Sequence, residues 1–153
     1  MNSTPLLPPV SATWPASRCC QTVLVVDDFA PMCDLVARHL TASGYRVLTA
    51  NDPVEAEKII SSPAGCLIDL LLTDVNMPGM RGDALAARCA EVRPRARVVF
   101  MSSRGACPAN MDWVALIEKP FSLADLGRVV RDALSNRFAT VEKESGHRES
   151  LAA

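Results

Sequence analysis

The 153-residue chain lacks an apolar run long enough to cross a bilayer. Its longest, around Cys66–Leu72, is broken by Asp69. It also lacks the basic stretch that opens a secretory signal: the first cation is Arg18, and Pro5, Pro8, Pro9 and Pro15 interrupt the apolar residues around it. Neither sign of charge is in excess. Sixteen basic residues face 17 acidic ones for a net charge of −1, which argues against a phosphate backbone as the main partner. The six cysteines form no C-x-x-C pair and have no histidine at zinc spacing. Reduced thiols in a cytoplasmic protein are therefore expected, with Cys33 and Cys89 serving as small apolar helix residues. Lysine is scarce too. Only Lys58, Lys119 and Lys143 are present among the 16 cations, so a lysine in a special place stands out.

What is present suits one domain. Residues 1–20 hold four of the 11 prolines and no periodicity, and read as a flexible Pro-rich arm. Residues 137–153 are charged and poor in apolar side chains, and read as a flexible tail. Between them, 21–136 alternates two kinds of segment. Short, apolar, β-branched stretches predict strands at Thr22–Asp27, Arg46–Thr49, Leu67–Asp74, Arg97–Ser102 and Val114–Glu118. Helical punctuation lies between them. Pro31 opens a helix with Met32, Leu35, Val36 and Leu40 on one face, and Gly44 ends it. Asp52, Pro53 and Glu55 supply an N-cap, an N1 proline and a capping-box acid. Gly82 and Asp83 lead into Leu85, Cys89 and Val92, and Ser122 and Asp125 cap a last helix carrying Leu126, Val130 and Leu134. Such alternation predicts an α/β domain with a doubly wound parallel sheet.

In that architecture function collects at the carboxyl ends of the strands. The first strand stops at Asp27-Asp28, the third at Asp74, the fourth at Ser102-Ser103 and the fifth at Glu118-Lys119. Each alone is an ordinary cap or turn residue. Together, Asp27, Asp28 and Asp74 converge on one edge, where each carboxylate pair at 4 Å would repel by about 4 kcal/mol at an effective dielectric near 20. A hard divalent cation with oxygen ligands relieves this, and Lys119 adds a fixed positive charge. Acid cluster, metal, lysine and hydroxyl are the parts that stabilise a transferring phosphoryl group, with one carboxylate as nucleophile.

On Val25-Val26-Asp27-Asp28, Thr73-Asp74-Val75-Asn76-Met77-Pro78-Gly79-Met80 with Gly82, Ser102 and Lys119-Pro120-Phe121, the chain resembles the receiver domain of two-component response regulators, of the single-domain chemotaxis-regulator kind. The resemblance covers about 21–136. It implies a flavodoxin-like five-stranded sheet of order 2-1-3-4-5. It implies Asp74 as phospho-acceptor, charged by a histidine kinase or histidine phosphotransfer protein, with Mg²⁺ held by Asp28, Asp74 and the backbone carbonyl of Asn76, and by Asp27 through water. Lys119 would pair with Asp74 and then with the phosphate, and Ser102 would swing its hydroxyl onto a phosphoryl oxygen. The resemblance also implies that Asn76 and Arg104 stand where side chains tune the lifetime of the acyl phosphate, while Arg104 reads equally as a solvated loop cation.

Two departures bear on output. Only 16 residues, Ser103 to Glu118, separate Ser102 from Lys119, and with Gly105 and Pro108 among them the family's fourth helix is expected to be shortened or missing. Leu116 stands where receivers often carry a switching aromatic, and Trp113 nearby reads as a half-buried packing residue.

The expected function is a stand-alone receiver signalling to a downstream protein. The 17 residues after 136 are too few for a DNA-binding domain, and no membrane partner is expected. One alternative is a non-switching interaction module on the same fold. Another is a Mg²⁺-dependent aspartyl-phosphate phosphohydrolase, which Asn76 disfavours because it cannot act as a general acid two residues beyond the nucleophile. A flavin carrier is disfavoured because Asp27-Asp28 replaces a phosphate-cradling loop.

Overall fold

The computed structural model describes residues 20–103, 105–106, 108 and 115–135. Residues 1–19 of the expected arm at 1–20, the tail at 137–153, Arg104, Trp113 and most of the segment replacing the family's fourth helix lie outside the described residues.

Five parallel strands form the sheet: β1 (Thr22–Val26), β2 (Arg46–Ala50), β3 (Ile68–Asp74), β4 (Arg97–Ser103) and β5 (Ala115–Lys119). Their order is β2-β1-β3-β4-β5, as expected. Helices α1 (Ala30–Ala42) and α4 (Leu123–Leu134) cover one face, and α2 (Pro53–Ser61) and α3 (Gly82–Val92) the other. Among the described residues no helix intervenes between β4 and β5. Strand boundaries differ from the sequence reading by a residue at most ends. Leu67 falls instead in a 3-10 turn, Pro63–Leu67, which Ser62 caps by accepting from the Gly65 amide.

The strands are apolar on both faces because helices cover both. Alternate residues of β1 divide between the two cores: Leu24 and Val26 join Leu71 and Phe100 under α2 and α3, while Val23 and Val25 join Leu70, Leu72 and Met101 under α1 and α4. In α1 the buried stripe is Cys33, Val36 and Leu40. Leu35, expected in that stripe, is 48% exposed, because it lies about 100° around the helix from Val36. Gly44, at φ 95°, ends α1: its amide donates to the Thr41 carbonyl and that of Tyr45 to the Leu40 carbonyl, the paired bonds of a Schellman motif. Asp52 caps α2 by accepting from the Glu55 amide at 2.7 Å.

At the amino ends of the strands two arginines, Arg93 just after α3 and Arg97 at the first position of β4, bind helix carbonyls on opposite faces. Arg93 donates from Nε to Ile60 O at 3.1 Å and from Nη2 to Ser62 O at 3.2 Å, closing the C-terminus of α2. Arg97 donates to the Ala133 carbonyl at the end of α4. Cations suit these positions because unpaired carbonyls make the helix C-terminus negative.

Two predictions follow from this packing. Arg93→Ala should lower unfolding free energy by about 1–3 kcal/mol in urea titrations, since two carbonyls lose a charged donor. Arg128→Ala, which breaks only an exposed pair with Asp125, should stay within about 0.5 kcal/mol. Equal losses would show that Arg93 binds no carbonyl in solution. The thiols should also divide. Cys33 and Cys89 are buried, and burial pushes both up to about 11, whereas Cys20 and Cys66 are exposed. Iodoacetamide at pH 8 should alkylate Cys20 and Cys66 in native protein, and Cys33 and Cys89 only after unfolding, as read by peptide mass mapping.

Candidate functional site: an acidic cluster at the carboxyl edge of the sheet

Strands β1 and β3 are neighbours, so their ends bring Asp27, Asp28 and Asp74 together. One carboxylate oxygen from each lies within 4.8 Å of the others. Asp27 is fully buried, Asp74 is 7% exposed, and Asp28 is exposed at the rim. The counter-charge comes from β5, two strands away from β3. The register pairs Asp74 with Met101 and Lys119 with Ser103, so the Lys119 backbone stands two residues beyond the level of Asp74. Only a long, flexible side chain reaches back across β4. Lys119 Nζ donates to Asp27 Oδ2 at 2.7 Å and to Asp74 Oδ2 at 3.2 Å. The expected Lys119–Asp74 pair is thus present, and the shorter bond goes to Asp27.

The remaining oxygens of the two buried acids are held by the backbone. Asp27 Oδ1 accepts from the Phe29 amide at 2.9 Å, and Asp74 Oδ1 from the Asn76 amide at 3.2 Å. Burial nevertheless raises Asp74 above the usual carboxylate range, against the pull of Lys119. For Lys119, burial works against the charge, but Asp27 and Asp74 outweigh it and the ammonium titrates above its ordinary value.

Ser102 sits at the same edge, 1% exposed, but its hydroxyl does not face the acids. It donates to the carbonyls of Ser103 and Ala106. Asn76 is exposed, and Leu116 is half-buried against the α2–α3 core, with no hydroxyl to offer solvent. Sequence reasoning took Gly82 as a motif residue at the start of α3, without its contact to Asp74. A Cβ there would lie 1.9 Å from the Asp74 carbonyl oxygen, so α3 starts directly on the backbone of the central acid.

The family model for the response regulator receiver domain matches residues 23–131. The chain belongs to this family. A putative two-component response regulator of Arabidopsis thaliana is 32% identical over 134 residues, covering 84% of this chain and 22% of its own length. The response regulator receiver protein CpdR of Brucella abortus is 32% identical over 110 residues, 68% of this chain and 88% of that one. The crystal structure of a response regulator receiver protein from Sinorhizobium medicae superposes with TM-score 0.67 at 26% identity, covering 76% of this chain and 95% of that one. The chain thus spans about a fifth of the plant relative and most of the Brucella one. Receiver domains as a family are phosphoryl acceptors that work with histidine kinases or phosphotransfer proteins. No helix among the described residues is long and apolar enough to cross a membrane.

The donor set fits a hard cation. Asp28 offers a carboxylate to which, among the described residues, nothing donates. Both oxygens of Asp27 are already engaged by Phe29 and Lys119, which suits a contact through water.

Because the clash at residue 82 is with backbone, Gly82→Ala should cost about 3 kcal/mol, read by urea unfolding. Gly79→Ala meets open space at φ 86° and should cost only about 1 kcal/mol. Equal losses would mean that α3 slides away from Asp74 freely.

Proposed function

We propose that Asp74 of this receiver domain accepts a phosphoryl group, in a Mg²⁺-dependent reaction, from a histidine kinase or histidine phosphotransfer protein. The observation that carries the reading is the meeting of Asp27, Asp28 and Asp74 with one ammonium, Lys119, bound to two of the three. An Asp74 carboxylate oxygen forms the new bond to phosphorus as the bond from phosphorus to the donor imidazole nitrogen breaks, and the imidazole leaves carrying that electron pair. Mg²⁺, held by Asp28, Asp74 and the Asn76 carbonyl and by Asp27 through water, would supply positive charge to the phosphoryl oxygens. Lys119 already stands within reach of Asp74 and supplies a second positive charge where negative charge accumulates. Burial of Asp27 and Asp74 keeps water from competing for these contacts.

The protein catalyses only its own phosphorylation and dephosphorylation in this reading. Asn76 offers no acid to a leaving group, so turnover of a separate phosphoester is not supported. Output is phosphorylation-dependent binding of a downstream protein in the cytoplasm.

Acetyl phosphate with Mg²⁺ should give a single phosphoryl adduct in intact mass spectra. The adduct should be absent in Asp74→Asn, in EDTA, and largely absent in Asp28→Ala. An adduct that persists in Asp74→Asn would overturn the assignment of the acceptor. Hydrolysis of a generic phosphoester by catalytic amounts of protein would show a phosphohydrolase instead.

A further inference from the structure

Cys20 and Cys66 are distant in the chain, and the pairing of β1 with β3 brings them to one corner of the fold. The register sets Thr22 beside Ile68, and the Thr22 amide donates to Asp69 Oδ2 at 2.8 Å, so the amino ends of the two strands are held together. Cys20 lies two residues before Thr22, and Cys66 two before Ile68. Neighbouring strands run about 4.8 Å apart, within the roughly 4.4–6.8 Å that a disulfide spans between Cα atoms.

Both residues stand on the same side of the sheet. Leu24 and Val26 of β1 face α2 and α3. Gln21 serves the other side, where its Nε2 donates to the Leu134 carbonyl of α4 at 3.5 Å. The alternation of an extended chain therefore puts Cys20 on the α2–α3 side. Gly65 fixes Cys66 on that side too. A Cβ on Gly65 would lie 2.4 Å from the carbonyl oxygens of Ile59 and Ile60, so the Pro63–Leu67 turn is pressed against the last turn of α2. Gly65 is buried in that contact and Cys66, the next residue, is exposed. Both thiols are free and open to solvent, whereas Cys33 and Cys89 are enclosed in the two cores.

We propose that Cys20 and Cys66 form a redox modification site, a dithiol that a small disulfide such as oxidised glutathione converts to an intramolecular disulfide. One cysteine thiolate attacks a sulfur of the oxidant, giving a mixed disulfide and expelling one thiolate. The other cysteine thiolate then attacks the protein sulfur of that mixed disulfide and expels the second. The two protein thiols lose two electrons and two protons, and the oxidant leaves as two thiols. Because the pair is exposed, excess thiol reductant reverses the reaction. The bond fastens the entry to β1 to the entry to β3 and closes a loop that holds α1, β2 and α2. It lies at the amino edge of the sheet, away from the acids at the carboxyl edge, and stands independently of the Asp74 reading.

The test equilibrates full-length protein with reduced and oxidised glutathione, blocks free thiols with iodoacetamide and maps peptides without reduction. Oxidised protein should lose the mass of two hydrogens and yield a peptide joining Cys20 to Cys66, at a rate independent of protein concentration. Cys66→Ser should abolish the cross-link. Cys20→Ser, which keeps Cys19 beside the position, should form one at least about tenfold more slowly, while Cys19→Ser keeps the wild-type rate. The oxidised wild type should melt about 5–10 °C above the reduced protein, a shift absent in Cys66→Ser and removed by excess dithiothreitol. Intermolecular dimers or a lasting glutathione adduct as the sole product would overturn the proposal. So would a cross-link that forms as fast in Cys20→Ser as in wild type, or a melting temperature that oxidation fails to raise.

Discussion

Three carboxylates at one sheet edge repel one another, and the structure meets that repulsion with a single ammonium. Lys119 stands two strands away from Asp74, beyond β4, and its Nζ reaches both buried acids. This bridge requires the parallel order, the β4–β5 register and the burial of the lysine stem all at once. A slip of one residue in β5 would turn Lys119 to the other face of the sheet and leave Asp27 buried without its cation. The cluster is therefore a tertiary feature, although each of its members is announced by a strand end.

The opposite edge of the sheet explains how such a site is tolerated. There the charges are paired with helix dipoles rather than crowded together. Arg93 closes α2 on one face from the connection that leads into β4, and Arg97, the first residue of β4, reaches the end of α4 on the other. Continuous apolar strands between the two edges supply the stabilisation that offsets the repulsion at the acids. Stability is concentrated in the core and at the amino edge, while the carboxyl edge keeps three acids beside one ammonium.

The legibility of the sequence follows the same division. Asp27, Asp28, Asp74 and Lys119 could be placed because a residue that ends a hydrophobic run in an α/β chain goes to a known edge. The caps at Asp52 and Ser122 and the stop at Gly44 were legible because they are local hydrogen-bond chemistry. What could not be read depends on where one element lands on another. Leu35 looks like core in a helical repeat, and only the angle at which α1 meets the sheet sends Cys33 inward instead. Nothing local distinguishes Gly82, whose missing Cβ admits the Asp74 carbonyl, from Gly79, whose φ serves a loop. The preference of Lys119 for Asp27 over Asp74 and the direction of the Ser102 hydroxyl are choices among partners that lie within reach of one another only in the folded state.

Strand β4 is where these threads meet. It separates the Asp74 strand from the lysine strand, its Met101 carbonyl accepts from the Val75 amide just past Asp74, and its Ser102 hydroxyl donates to the Ala106 carbonyl. The end of β4 thus touches the backbone beyond Asp74 on one side and the start of the connection to the counter-charge strand on the other. Displacement at either contact is felt at both, because β4 is packed on its two faces and cannot absorb it by itself.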